Sequence, residues 1–255
     1  EAEWSWVIGK TTDAPLVLQT GKDSWEALDL LAEEADWPLT KTTLRTMATC
    51  PHTARQAAIL VFEMHSRNQL TGDRATESLM QETADLLDNL ISANPTNTFT
   101  LGLYAHFLAH IRQDHDQAEK FYNQAVAIDP KNAANLGAYA VFLTYIRHDY
   151  NQAEKYYKQA IKASPNDAFA LGAYAHLLEN VHRDYNQAEK YYEQAIKTNL
   201  NNPRILGNYS QLLFVTGRDE KGVEFAERAL GLAEQGQEAL CAECHFYLFM
   251  HSPRH

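Results

Sequence analysis

A step of 35 residues runs through the chain: Gly102, Gly137, Gly172 and Gly207 keep it, and so do Tyr104, Tyr139, Tyr174 and Tyr209. A period of this size belongs to one supersecondary unit copied in tandem. Such a unit hides its apolar face only against a neighbouring copy, so the period dictates a stack.

Each copy opens on an apolar stripe. Leu101, Tyr104, Ala105 and Leu108 form the first, Leu136, Tyr139, Ala140 and Leu143 the second, Leu171, Tyr174, Ala175 and Leu178 the third, and Leu206, Tyr209, Ser210 and Leu213 the fourth. Spacings of three and four put these side chains on one helical face, and the small residue in the middle admits a neighbouring helix. A second stripe follows in each of the first three copies: Ala118, Tyr122, Ala125; Ala153, Tyr157, Ala160; Ala188, Tyr192, Ala195. The polar breaks Gln113-Asp114, His148-Asp149 and Arg183-Asp184 end in an Asp suited to capping the second helix. Pro130 and Pro165 then stop it. The unit is a helical hairpin.

These residues resemble the tetratricopeptide repeat family. The small residue of the first helix (Ala105, Ala140, Ala175, Ser210), the Ala–aromatic–Ala triplet of the second and the closing Pro match its pattern over residues 95 to 234. The first three copies carry one extra residue between their helices. The fourth lacks it, has Gly217 at the turn and continues through Gly222, Ala226 and Ala229. The resemblance implies an all-α fold of tandem helix-turn-helix repeats stacked into a right-handed superhelical solenoid. Residues 94–234 are expected to hold four repeats, residues 23–93 a helical region with a degenerate capping repeat, and residues 235–255 a capping helix or a truncated fifth repeat. Residues 1–22 read as a strand-like segment or linker, in which Trp4 to Leu18 would form a short β-hairpin. Both ends look unfinished, which predicts a segment of a longer protein.

His106 and His110 are four apart and share a helical face with Phe99, opposite the packing stripe. The equivalent side chains in the next copies are Val141 and Tyr145, then Phe169, His176 and Asn180, then Gln211 and Val215. First helices line the concave wall in the family resembled, so these residues are expected to form a groove for a peptide or partner protein. Some members of that family grip a terminal carboxylate with Lys, Asn and Arg from these helices. Here Gly102, Gly137, Gly172 and Gly207 stand where the Lys would be, so that clamp is not expected, and the glycines are read as letting a ligand backbone come close. The Gln-Ala-Glu-Lys runs at Gln117, Gln152 and Gln187 are read as a solvated outer face with local charge pairs.

The remaining motifs imply no cofactor. Cys241-Ala242-Glu243-Cys244-His245 has the spacing of a haem attachment, and with His251 and His255 it makes a Cys2His2 set too tightly spaced for a zinc finger. Gly9-Lys10-Thr11 and Gly21-Lys22 lack the upstream glycine of a phosphate-binding loop, because Trp4 and Leu16 stand there. No nucleophile, base and orienting residue assemble, so no catalytic site or metal site is expected.

A net charge of −11 opposes general nucleic-acid binding, which needs concentrated Lys and Arg. The absence of a long apolar run predicts no membrane-spanning helix, and the scarcity of cysteines points to a reducing cytoplasm. The expected function is a protein–protein interaction module, an adaptor or scaffold. The alternative is a regulatory or sensor arm of a larger enzyme or defence protein. Self-association through the terminal repeats is a further expectation.

Overall fold

The computed structural model describes residues 74–233 and 238–251. The Trp4–Leu18 hairpin and the helix read at Asp23–Ala35 lie outside these residues, as does the pattern around Ala57–His65. The chain divides into two compact units, Glu1–Pro95 and Thr96–His255. In the first, α1 spans Arg74–Ala93 and buries Thr83, Ala84 and Leu87.

The second unit is a series of antiparallel helical hairpins, and no strand occurs among its described residues. Copy one pairs α2 (Thr98–Phe107) with α3 (His115–Ile128), and copy two pairs α4 (Ala133–Phe142) with α5 (Tyr150–Ala163). Copy three pairs α6 (Ala168–Leu177) with α7 (Tyr185–Thr198), and copy four pairs α8 (Pro203–Val215) with α9 (Asp219–Leu232). A last helix, α10 (Glu238–His251), packs on both α8 and α9.

Short polar side chains define where these helices begin. Asp114, Asp149 and Asp184 accept hydrogen bonds from the backbone N–H groups of Gln117, Gln152 and Gln187. Asn97, Asn132, Asp167 and Asn202 cap the first helices in the same way. Each such cap stabilises its helix by about 1 kcal/mol.

The extra residue of the first three copies is absorbed inside the first helix. α2, α4 and α6 widen into a π-helical last turn at Leu108–Arg112, Leu143–Arg147 and Leu178–His182. The carbonyls of Leu108, Leu143 and Leu178 accept from the N–H groups of Asp114, Asp149 and Asp184, six residues on, at 2.9 to 3.0 Å. The turn closes through Gln113, His148 and Arg183 in the left-handed region, each at φ 55°. In copy four α8 stays α-helical to Val215, and Gly217 takes the left-handed position at φ 73°.

The doubled aromatics divide their work. Phe121, Tyr156, Tyr191 and Phe225 meet the tyrosine of their own first helix, with ring centroids 4.8 to 4.9 Å apart. Tyr122, Tyr157 and Tyr192 are buried against the tyrosine of the next copy, at 5.4 to 5.9 Å. One ring closes the hairpin and the other joins it to its neighbour. Copy four has Ala226 at that second position, and Phe214 fills the space from the first helix, stacking on Tyr247 of α10 at 5.8 Å. A Cβ on Gly222 would stand 2.7 Å from the Phe214 ring, so the large residue and the glycine go together.

The four glycines of the 35-residue step are buried and face the next first helix, which corrects their reading as a ligand approach. A Cβ would lie 2.2 Å from Asn135 at Gly102, 3.0 Å from Ile205 at Gly172 and 2.6 Å from Leu240 at Gly207. At Gly137 the nearest atoms belong to Phe169, at 3.7 Å.

Candidate functional site

Successive first helices pack on one another, whereas successive second helices have no comparable contact and pack on the first helices instead. Four positions per first helix remain accessible, none of them buried in any copy. They are Phe99, Leu103, His106 and His110 in α2 and its widened turn, then Ala134, Ala138, Val141 and Tyr145, then Phe169, Ala173, His176 and Asn180. Arg204, Asn208, Gln211 and Val215 continue the rows on α8, and Ala239, Glu243, Phe246 and Met250 continue them on α10.

The residues singled out from the sequence, Phe99, His106, His110, Val141, Tyr145, Phe169, His176, Asn180 and Gln211, therefore share one face. Several meet across copies. The Tyr145 hydroxyl lies 2.9 Å from His176 Nδ1, and their rings are 5.9 Å apart. Gln211 donates to Glu243 of α10 at 3.3 Å. His106 and His110 stack at 4.3 Å between centroids. Burial, reinforced by the charge on His110, holds His106 down at about 4, so this imidazole is neutral at pH 7. Burial and then Arg204 lower His176 in the same direction. Asn180 donates to the His176 carbonyl on its own helix. No group of three His, Cys, Asp or Glu side chains among the described residues could hold a metal.

Two features escaped the sequence reading. Phe246 and Met250, each 59 % exposed, carry the face onto α10; extending the 35-residue step from Gln211 and Val215 finds them. The second feature is the buried position Ala109, Thr144, Glu179 and Phe214, which sits beneath the second helix. Thr144 lies 3.4 Å from the Tyr157 hydroxyl, and Glu179 accepts from Tyr192 at 2.9 Å. Burial pushes the Glu179 carboxyl up to about 7, against the hydrogen bond from Tyr192 and the charge of Arg183. Opposite Ala109, the Tyr122 hydroxyl is buried with no hydrogen-bond partner among the described residues.

The outer Gln-Ala-Glu-Lys runs also prove more than a solvated surface. Glu154 and Glu189 accept from Tyr174 and Tyr209 of the next copy at 3.1 and 3.3 Å. Arg147 reaches back to Glu119 at 2.7 Å and to Asp116 at 2.6 Å, and Arg218 pairs with Glu189. These carboxylates tie one hairpin to the following one.

The tetratricopeptide repeat models match residues 181–237, 103–132 and 149–167. No curated protein sequence matches the chain. Solved structures do, at low identity. The chain is similar to PilF of Pseudomonas aeruginosa at 17 % identity and a TM-score of 0.58, covering 78 % of this chain and 91 % of that one. A thermophilic repeat protein of Thermus thermophilus is 14 % identical with a TM-score of 0.62, over 78 % of this chain and all of that one. PilW, a type IV pilus biogenesis factor, is 13 % identical with a TM-score of 0.57, over 77 % and 91 %. These likenesses show the fold alone. The family models thus identify tetratricopeptide repeats within residues 103–237, and the 35-residue step, the hairpin geometry and the solved structures agree on an α-helical solenoid of such repeats.

Proposed function

We propose that the chain is a non-catalytic interaction module of the cytoplasm, an adaptor or scaffold whose first-helix face takes up a segment of a partner protein. The repeat fold supports protein–protein interaction in general, and no described helix is long and apolar enough to cross a membrane. The observation that carries the finer reading is the accessible face itself. Tyr145 (49 % exposed), Phe169 (56 %) and Phe246 project from the accessible first-helix face. A rigid helical wall presents large apolar side chains at little entropic cost to binding. Buried aromatics are where most binding energy concentrates.

The test is selection of binders to the full chain from a random peptide library, followed by affinity measurement against the variant Tyr145→Ala/Phe169→Ala/Phe246→Ala. Loss of several aromatic anchors should weaken the selected peptides at least about thirtyfold while helicity is unchanged. Unchanged affinity in a variant with wild-type circular dichroism would place binding elsewhere and end this reading.

A further inference from the structure

The first-helix face differs in charge from the rest of the chain. The protein carries −11 overall, yet of the four accessible positions on each of α2, α4, α6, α8 and α10, Arg204 and Glu243 are the only ones, histidines apart, that are charged. Glu243 accepts from Gln211. Arg204 is exposed at the start of α8 and has no ion-pair or hydrogen-bond partner among the described residues. The other arginines that join copies differ, since Arg147 is held by Asp116 and Glu119 and Arg218 by Glu189. Arg204 stands on the first helix that follows the one carrying His176, on the same accessible face, and its charge adds a downward shift to both Tyr145 and His176, whose larger shifts, up and down respectively, come from burial. That pair sets a hydroxyl oxygen 2.9 Å from a ring nitrogen, near a cation with no partner among the described residues.

Apolar side chains flank this point on both sides, Val141 and Phe169 towards the earlier copies and Val215, Phe246 and Met250 towards α10. A bound chain that covers these side chains continues past the cation in both directions, and its carboxylate then comes from a side chain and not from a chain end.

We infer that the segment bound on this face carries an Asp or Glu side chain that meets Arg204 beside Tyr145 and His176, with large apolar side chains on either side of it. This rests on the interaction-module reading above and specifies its partner. An exposed pair contributes little in water, but one covered by the bound segment is partly desolvated, and a like charge in its place is strongly rejected. Arg204 thus acts as the specificity element of a face that otherwise recognises shape and apolar area.

The experiment runs the peptide selection in parallel on the full chain and on its Arg204→Glu variant, and then measures the affinity of the selected peptides with Asp, Asn and Lys at the acidic position. Peptides from the native chain are expected to place Asp or Glu between large apolar residues and to weaken about tenfold on change to Asn. Peptides from the variant are expected to place Lys or Arg there. Peptides that depend on Tyr145, Phe169 and Phe246 but show no acidic preference, or keep it in the variant, would overturn this inference and leave the interaction face standing. Peptides indifferent to all of these residues, or no enrichment, would overturn both.

Discussion

Tyr122, Tyr157 and Tyr192 occupy one position in three copies, share nearly the same burial and differ in what their hydroxyl meets, so Tyr→Phe at each is an internally controlled measurement. Tyr192 donates to the Glu179 carboxyl at 2.9 Å. Removing a donor from a buried carboxylate costs about 1.5 to 3 kcal/mol. Tyr157 stands 3.4 Å from Thr144 Oγ1, which already donates to the Ala140 carbonyl at 2.8 Å; such a long contact contributes at most about 0.5 kcal/mol. Tyr122 has no partner among the described residues, and its change to Phe removes a buried unsatisfied group. That variant should be unchanged or more stable by about 1 kcal/mol. Urea unfolding followed by both far-UV circular dichroism and tyrosine fluorescence reads the order Tyr122→Phe, Tyr157→Phe, Tyr192→Phe, from least to most damaging, at a common m-value. Equal costs at the three positions, or a largest cost at Tyr122, would show that ring packing and not the hydroxyl governs the position.

Glu179 sets a pH dependence. Its carboxyl rises from an ordinary 4.5 to about 7 on folding, so its contribution favours the fold below pH 4.5 and is lost as pH climbs through 7; the loss is about 3 kcal/mol. Glu179→Gln should flatten the native chain's decline in stability between pH 5 and 7.5, measured by urea titration at each pH, and an unaltered slope would assign the decline to other groups. His148, at φ 55° behind the widened turn of copy two, carries left-handed strain that Gly217 avoids in copy four. His148→Gly should raise stability by about 0.5 to 1 kcal/mol, and a lower melting temperature would refute that account. Gly137→Ala meets only an ordinary contact at 3.7 Å, whereas Gly222→Ala puts a Cβ 2.7 Å from the Phe214 ring. The first should gain up to about 1 kcal/mol of helix propensity and the second lose about 1 to 3, so a reversal of that order in thermal melts would contradict the packing described.

The hairpins were legible because their determinants are local. Leu101, Tyr104, Ala105 and Leu108 recur at helical spacing, and Asp114, Asp149 and Asp184 precede their helices by one residue. The extra residue was legible as an insertion, but its conformation was not, since α-helical residues such as Leu143 to Arg147 give no signal that one turn will widen to reach a left-handed closing residue. The role of Gly102 lay equally out of reach. Its neighbour is Asn135, 33 residues on, and only the stacked structure brings the two together. Glu179 looks from the sequence like any surface carboxylate on a helix, and its burial comes from α7 lying across it. On the candidate face, Tyr145 and His176 were identified by repeat arithmetic, while Phe246 and Met250 were missed because α10 has Ala242 and Cys244 where the Gly and Tyr of the step would stand.

First helices of successive copies meet directly, whereas second helices reach the next copy through its first helix, which makes the two edges of the stack unlike. The first helices meet at Gly102, Gly172 and Gly207, where a Cβ would lie 2.2 to 3.0 Å from the next helix, while the second helices of successive copies make no comparable contact. Opening the outer edge breaks the Tyr174–Glu154 and Arg218–Glu189 ties but leaves the seams in place. Bending of the array is therefore expected to hinge on the first-helix seams.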